Sequence, residues 1–327
     1  MRNKYCEVQE GVLKTTIPNT DSRIVYIEVT GKCNLNCKHC FNNSGDTGED
    51  LEWNYITRVY DELEMFEVKQ VIISGGEVFT RKDIFEILQL FRQKYDVKVL
   101  TNGMLLSDHD IEKLIALGVH IQITLNGSCE RIDSRTRNIG FDKTVRTIKK
   151  VIASGGKEEL TVTNAISKKN QTDIEKYMEL MDDIGVGAVQ FTFVYDKGRA
   201  GDKWDEWCLS LPDKIRILEK IFELKEKYKK ILIRTSGMKP SNPYLVDEDF
   251  SDCRYLTEEV SFFSTGEVML CPNLKHYQEC LRMNAKIYKK EGLSSLETRY
   301  MHDSKCDFCV EKHVCAIGCV ERGFCND

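Results

Sequence analysis

Three cysteines, Cys33, Cys37 and Cys40, follow one another as C-x3-C-x2-C. Thiolates at this spacing hold soft metals, zinc or iron–sulfur clusters. An electron-transfer cluster usually takes four cysteines, so three leave a four-iron cluster with one open iron. An open iron is a place for a substrate or cofactor. Structural zinc takes four closed ligands, and His39 is adjacent to Cys40, poorly placed to close a tetrahedron with it. A second group of thiols lies near the C-terminus. Cys253 is followed by Gly266-Glu-Val-Met-Leu-Cys271, Cys280, Cys306-x2-Cys309-x5-Cys315-x3-Cys319 and Cys325. Only Cys306-x2-Cys309 has the spacing of a zinc knuckle.

These belong to fourteen cysteines in 327 residues, below the density of a small disulfide scaffold. The first residues lack an apolar signal core, and no apolar run is long enough to span a membrane. The expected compartment is the cytoplasm, where clustered thiols stay reduced and bind metal or do redox chemistry. The formal charge is −5, with 41% hydrophobic and 30% charged residues. That excludes a disordered chain and argues against a nucleic-acid partner, which calls for a basic stripe.

The elements that must position the first triplet alternate. Apolar, β-branched runs lie at 24–30, 70–74, 97–101, 119–125, 160–166 and 188–194. Each has the length of a buried parallel strand. Helical patterns over 52–66, 83–95, 108–117, 141–153, 172–184 and 212–228 separate or follow them. Ser107, Asn170 and Leu211-Pro212 are read as helix starts. The fold class is α/β, a partial (β/α)6 TIM barrel. A linker near 236–243 leads to an irregular segment with a hairpin, Val260–Phe263 against Glu267–Leu270. The expected domains are an N-terminal arm (1–22), the barrel (23–235) and a small cysteine-rich domain (236–327).

The triplet follows the first strand of the barrel, on the face where active sites of such folds lie. Gly75-Gly76-Glu77 follows the second strand, Asn102-Gly103 the third, Thr124-Leu-Asn126-Gly127 the fourth, and Lys197-Gly198-Arg199-Ala200 the sixth. With these motifs the sequence resembles the radical S-adenosylmethionine (radical SAM) superfamily. The resemblance implies that Cys33, Cys37 and Cys40 hold a [4Fe–4S] cluster whose open iron binds S-adenosylmethionine. One electron then yields a 5′-deoxyadenosyl radical that takes a hydrogen atom from substrate. It places Gly75, Gly76, Glu77, Asn102, Thr124 and Arg137 at the cofactor, with Arg135 nearby. Closer relatives carry Asp where this chain has Asn126.

The C-terminal cysteines resemble the SPASM extension of the same superfamily. That implies two auxiliary [4Fe–4S] clusters, three in all. Cys306, Cys309, Cys315 and Cys325 would hold the outer one, and Cys253, Cys271 and Cys319 the inner one. Cys280 is either its fourth ligand or a free thiol. The implied substrate is a peptide or protein, most simply a ribosomally made peptide receiving a thioether or carbon–carbon crosslink. Alternatives are a peptide epimerase, an anaerobic sulfatase-maturing enzyme that forms formylglycine and, outside catalysis, a multi-cluster electron-transfer protein. Asp196, Cys208 and Cys280 are the catalytic candidates. A flavodoxin- or ferredoxin-type donor is the expected redox partner. Residues 1–22 precede the first strand, too few for the leader-binding winged helix of many such relatives, so recognition is expected to use the barrel surface, the SPASM segment or a separate leader-binding protein.

Overall fold

A computed structural model of the chain describes residues 6–9, 12–16, 23–65, 67–236, 259–266, 268–269 and 297–301. In chain order the strands begin with β1 (Cys6–Gln9), β2 (Val12–Thr16), β3 (Arg23–Thr30) and β4 (Val68–Gly75). The series continues with β5 (Asp96–Thr101), β6 (His120–Thr124), β7 (Leu160–Ile166), β8 (Ala188–Phe193) and β9 (Leu232–Ser236). Beyond these lie β10 (Glu259–Phe262), β11 (Val268–Met269) and β12 (Glu297–Met301). The helices are α1 (Trp53–Glu62), α2 (Ile84–Arg92), α3 (Asp108–Ala116), α4 (Glu130–Arg137) and α5 (Phe141–Ala153). They continue with α6 (Ile174–Ile184), two single turns, α7 (Gly198–Gly201) and α8 (Trp204–Trp207), and α9 (Leu211–Lys227). Among the described residues no helix is long and apolar enough to cross a membrane.

The chain divides into two compact units. The first takes the described residues through Val29, those from Asp50 to Ile72 and those after Asn242. In it β10 pairs in parallel with β3, and β11 pairs antiparallel with β10, as the hairpin pattern predicts. Ser264 Oγ donates to buried Glu28 at 2.6 Å. A separate antiparallel sheet has the order β1-β2-β12.

The second unit, Thr30–Glu49 and Ile73–Ser241, carries the cysteine triplet. Its strands β5 to β9 lie side by side in sequence order, every pair parallel. One face is apolar and covered by helices. Val97, Val99, Ile121, Ile123, Val162, Val189 and Phe191 are fully buried on it. The ring of Phe191 meets Tyr177 of α6 at 5.8 Å. Burying side chains of this size contributes about 1.5–3 kcal/mol each. The other face forms the inside of an unclosed partial barrel, the α/β architecture expected from the sequence.

Ser107 caps α3 with a full capping box, its hydroxyl accepting from Asp110 N and Asp110 bonding back. Ser210 caps α9, with Pro212 in the first turn. Asn170 does not cap α6; Asp173 occupies that position. Asn170 Nδ2 instead donates to the backbone oxygens of Asn126 and Ala165 and to Asn164 Oδ1. Helix α4 breaks from the sequence reading, which left 130–137 without an element. Its run Glu-Arg-Ile-Asp-Ser-Arg-Thr-Arg offers one aliphatic residue to a periodicity argument.

Candidate active site

Between β3 and α1 the chain makes the loop that carries Cys33, Cys37 and Cys40. Backbone bonds shape it: Gly31 N to Glu49 O (2.7 Å) and Cys33 N to Gly45 O (2.5 Å) close its base. Two amides are aimed at sulfur, Leu35 N at Cys33 Sγ and Ser44 N at Cys40 Sγ, each at 3.4 Å. Such donors favour the thiolate form that metal binding needs. The loop continues through single-turn contacts from Cys40 N to Cys37 O and from Asn43 N to Cys40 O.

The Gly-Gly pair after β4 lies directly under this loop. Gly76 N donates to Thr30 O and Glu77 N to Lys32 O. A Cβ on Gly76 would stand 2.1 Å from Lys32 O, and one on Gly75 2.6 Å from Thr30 O. Only glycine permits that approach. The Glu77 carboxylate is fully buried beneath, accepting from Thr101 Oγ1 (2.8 Å), Asn102 N (2.7 Å) and Phe79 N (3.2 Å). Burial raises its pKa and these three donors oppose the shift. Glu77 therefore ties the end of β4 to the end of β5. Asn102 Nδ2 reaches on to Asn34 Oδ1 at 2.8 Å, inside the cysteine loop.

Arg137, from the unforeseen helix α4, is 1% exposed. Its guanidinium donates to Thr124 O, to Asn102 O (3.1 Å) and to Thr144 Oγ1 (3.2 Å). It binds the carbonyl ends of β5 and β6, and its charge is the leading influence that lowers the Cys37 pKa. Arg135 donates to Lys169 O and faces elsewhere. Asn126 is fully buried. Its Oδ1 accepts from Ala165 N (2.9 Å), its Nδ2 contacts Thr136 Oγ1, and its own N donates to Asp133 Oδ1 (2.7 Å).

The final clamp comes from α7. Gly198 has φ of +54°, and a Cβ there would lie 2.2 Å from Cys40 O. The next residue, Arg199, donates through Nε to Cys37 O (2.7 Å), through Nη2 to Ser44 O (2.8 Å) and through Nη1 to Asn43 Oδ1 (3.3 Å). Of the catalytic candidates, Asp196 is exposed in the loop after β8. Cys208 is half-buried with its thiol toward Leu209 O. Cys280 and the SPASM-type ligands Cys253, Cys271, Cys306, Cys309, Cys315, Cys319 and Cys325 lie outside the described residues.

The residues fit a four-iron cluster better than a zinc ion. Burial raises the thiol of Cys33 to about 11, with Glu77 and then Cys40 adding to it, and that of Cys37 to about 12, with Cys40 and Cys33 adding to it. Both thiols are desolvated, and a bound cation would offset the cost of their thiolate forms. Among the described residues no three His, Cys, Asp or Glu side chains converge on one metal ion. A cluster takes each cysteine on a different iron, so convergence on one point is not required. His39 is turned away from the thiols. Its Nδ1 meets Thr136 O and its Nε2 meets Asn126 Nδ2, which assigns the proton to Nδ1. Burial lowers its pKa to about 4.

The profile of the Radical SAM superfamily matches residues 27–184. Over 213 residues the chain is 31% identical to the AdoMet-dependent heme synthase of Methanosarcina barkeri, covering 63% of this chain and 60% of that protein. It is 30% identical over 184 residues to the mycofactocin maturase MftC of Mycobacterium ulcerans, covering 55% and 49%. The chain thus spans about half to three-fifths of the curated relatives it matches. In structure it resembles Streptococcus suis SuiB bound to its precursor peptide SuiA, with TM-score 0.71 and 15% identity over 84% of this chain and 66% of that one. That likeness shows the fold.

Proposed function

We propose that this chain, which carries a Radical SAM domain over residues 27–184, modifies a peptide or protein, most simply by installing a thioether or carbon–carbon crosslink in a ribosomally made peptide. The carrying observation is the cysteine loop itself: three thiols on one loop, two of them met by backbone amides, over a glycine pair with no room for a Cβ. Cys33, Cys37 and Cys40 would hold a [4Fe–4S] cluster. The cluster and bound S-adenosylmethionine would supply a carbon radical able to abstract hydrogen.

The chain's own residues place and shield that chemistry. Gly75 and Gly76 let the backbone around Thr30–Lys32, at the start of the cysteine loop, approach closely, and Thr124 and Asn102 stand at the ends of β6 and β5. Glu77 and Arg137 lock those ends from below, with Arg137 also placing positive charge near Cys37. Peptide chemistry is favoured by the likeness to a protein solved with its precursor peptide, alongside a relative named as a maturase. The C-terminal cysteines would hold two auxiliary clusters, and a flavodoxin or ferredoxin in the cytoplasm would supply electrons. A small-molecule substrate is the second reading, favoured by the heme synthase relative, whose match covers more of this chain than the maturase does.

Anaerobic reconstitution with iron and sulfide, followed by dithionite and S-adenosylmethionine, tests the core of this reading. The expected product is 5′-deoxyadenosine, abolished by Cys37→Ala. About twelve irons per chain would mark three clusters and about four a single one. Mass loss of two hydrogens in a co-expressed peptide would mark a crosslink; an unchanged mass with altered stereochemistry would mark epimerisation.

A further inference from the structure

Ser44 lies four residues past Cys40 in the cysteine loop and is 4% exposed. Its Oγ is buried and meets no hydrogen-bond partner among the described residues. The backbone on either side of it is held. Ser44 N donates to Cys40 Sγ at 3.4 Å, and Ser44 O accepts from Arg199 Nη2 at 2.8 Å. With the backbone pinned, one side-chain torsion with three staggered positions is all that moves the oxygen. The hydroxyl therefore stays beside Cys40 in each of them.

A hydroxyl carries one hydrogen to donate, and the acceptors of this turn are engaged. Cys40 O accepts from Asn43 N and Arg199 N, and Cys37 O from Cys40 N and Arg199 Nε. Gly45 O accepts from Cys33 N, and Asn43 Oδ1 from Arg199 Nη1. Cys40 Sγ takes the Ser44 amide, not its hydroxyl. A buried polar group without a partner is retained where something else fills the place. Beside Cys40 that something is the iron–sulfur cluster that the three thiols fit, whose sulfurs accept hydrogen bonds and whose potential those bonds set.

We propose that the Ser44 hydroxyl donates to a sulfur of the cluster on the Cys40 side and raises the potential at which that cluster takes its electron. The inference rests on the radical reading above. One electron makes the cluster one charge more negative, and a donor binds the more negative form more strongly. The amides of Leu35 and Ser44 act on sulfur in the same sense but belong to the backbone. Ser44 Oγ is the side-chain donor of the loop that a substitution can remove.

An anaerobic redox titration of the reconstituted full chain, read by electron paramagnetic resonance without S-adenosylmethionine, tests it. The signal that Cys37→Ala removes belongs to this cluster. Ser44→Ala should keep that signal and lower its midpoint. At a fixed solution potential the reduced-to-oxidised ratio should fall at least threefold, about 28 mV for one electron. Ser44→Gly removes the same hydroxyl without leaving a methyl group; it should shift the ratio alike, and it carries the test if Ser44→Ala loads no cluster. Ser44→Thr keeps the hydroxyl and should stay within twofold of the parent. Tyr177→Phe deletes another buried, unbonded hydroxyl, on α6, and should leave the ratio unchanged. Midpoints equal to the parent's in the hydroxyl-free variants overturn the assignment, as does a shift in Ser44→Thr or Tyr177→Phe as large as theirs. Dithionite-driven 5′-deoxyadenosine formation on the same preparations separates the two failures. Its formation with equal midpoints overturns the Ser44 assignment alone. Its absence, with no signal that depends on Cys37, overturns the radical reading and the Ser44 assignment with it.

Discussion

Arg199 Nε donates to the backbone carbonyl of Cys37 at 2.7 Å, across 162 residues of sequence. The same guanidinium holds Ser44 O and Asn43 Oδ1, so one side chain braces the cysteine loop at three points. Lysine keeps the charge but lacks the planar fork that reaches three acceptors. Arg199→Lys is therefore expected to loosen the loop while the rest of the fold persists. Each lost charged hydrogen bond is worth about 1.5–3 kcal/mol. Amide exchange over residues 37–44 should rise at least tenfold, with β7 unchanged. Iron should leave the reconstituted protein faster under a chelator. Exchange and iron retention like the parent's would remove Arg199 from this role. Gly198→Ala should reproduce the loss by a different route, since its Cβ would meet Cys40 O.

Gly76→Ala should be more damaging still. Backbone, not a movable side chain, occupies the space: Lys32 O at 2.1 Å and Lys32 C at 2.6 Å. The loop must be displaced to admit one methyl group. The expected result is loss of S-adenosylmethionine binding in equilibrium dialysis with iron content also reduced. Gly45→Ala, where a Cβ meets nothing within 4 Å, is the matched control and should bind as the parent does. Similar behaviour of the two variants would show that the close approach does not matter.

The structure gives a reason for an amide, and not a carboxylate, at Asn126. Its Nδ2 faces Thr136 Oγ1 and His39 Nε2, each at 3.3 Å, and the residue is fully buried. Asp133 already supplies the local carboxylate, accepting from Asn126 N. Asn126→Asp would bury a second carboxylate and turn a donor into an acceptor. It should destabilise the fold by about 2–4 kcal/mol, the cost of an uncompensated buried charge less what protonation relieves. Urea unfolding near pH 7 measures it. A stability equal to the parent's would mean the pocket accepts the charge.

The strands of the second unit were legible as short apolar, β-branched runs of the length of a buried parallel strand; β7 begins and ends where that pattern places it. The glycines, cysteines and Ser107 were legible because each acts through local backbone geometry. Helix α4 was not. It buries Asp133 and Arg137 together against the ends of β5 and β6, polar contacts that no apolar periodicity encodes. Asn170 was misread as a cap for the related reason that acceptors in the core, Asn126 O and Ala165 O, take its amide. Arg199 was visible as part of a motif, but its partners in the cysteine loop appear only in three dimensions.

Asp133 offers a test of the buried pair on which α4 depends. Its Oδ1 accepts from Asn126 N, while Oδ2 is buried without a hydrogen bond and lies 4.0 Å from Arg137 Nε. That separation is an ion pair but too long for a hydrogen bond. Burial raises the carboxyl above its ordinary 3.8, with the Arg137 charge opposing most strongly. A raised pKa in the folded state means the folded chain holds the proton longer than the unfolded one. The stability linked to Asp133 is then fully present below 3.8 and is lost as pH rises through the folded value. Asp133→Asn keeps an acceptor for Asn126 N but cannot titrate. The difference in unfolding free energy between variant and parent should therefore move in the variant's favour as pH rises through the carboxylate range. Urea titrations at a series of pH values read that difference directly. A difference that stays flat, or moves toward the parent, would show that Arg137 holds Asp133 ionised at no cost.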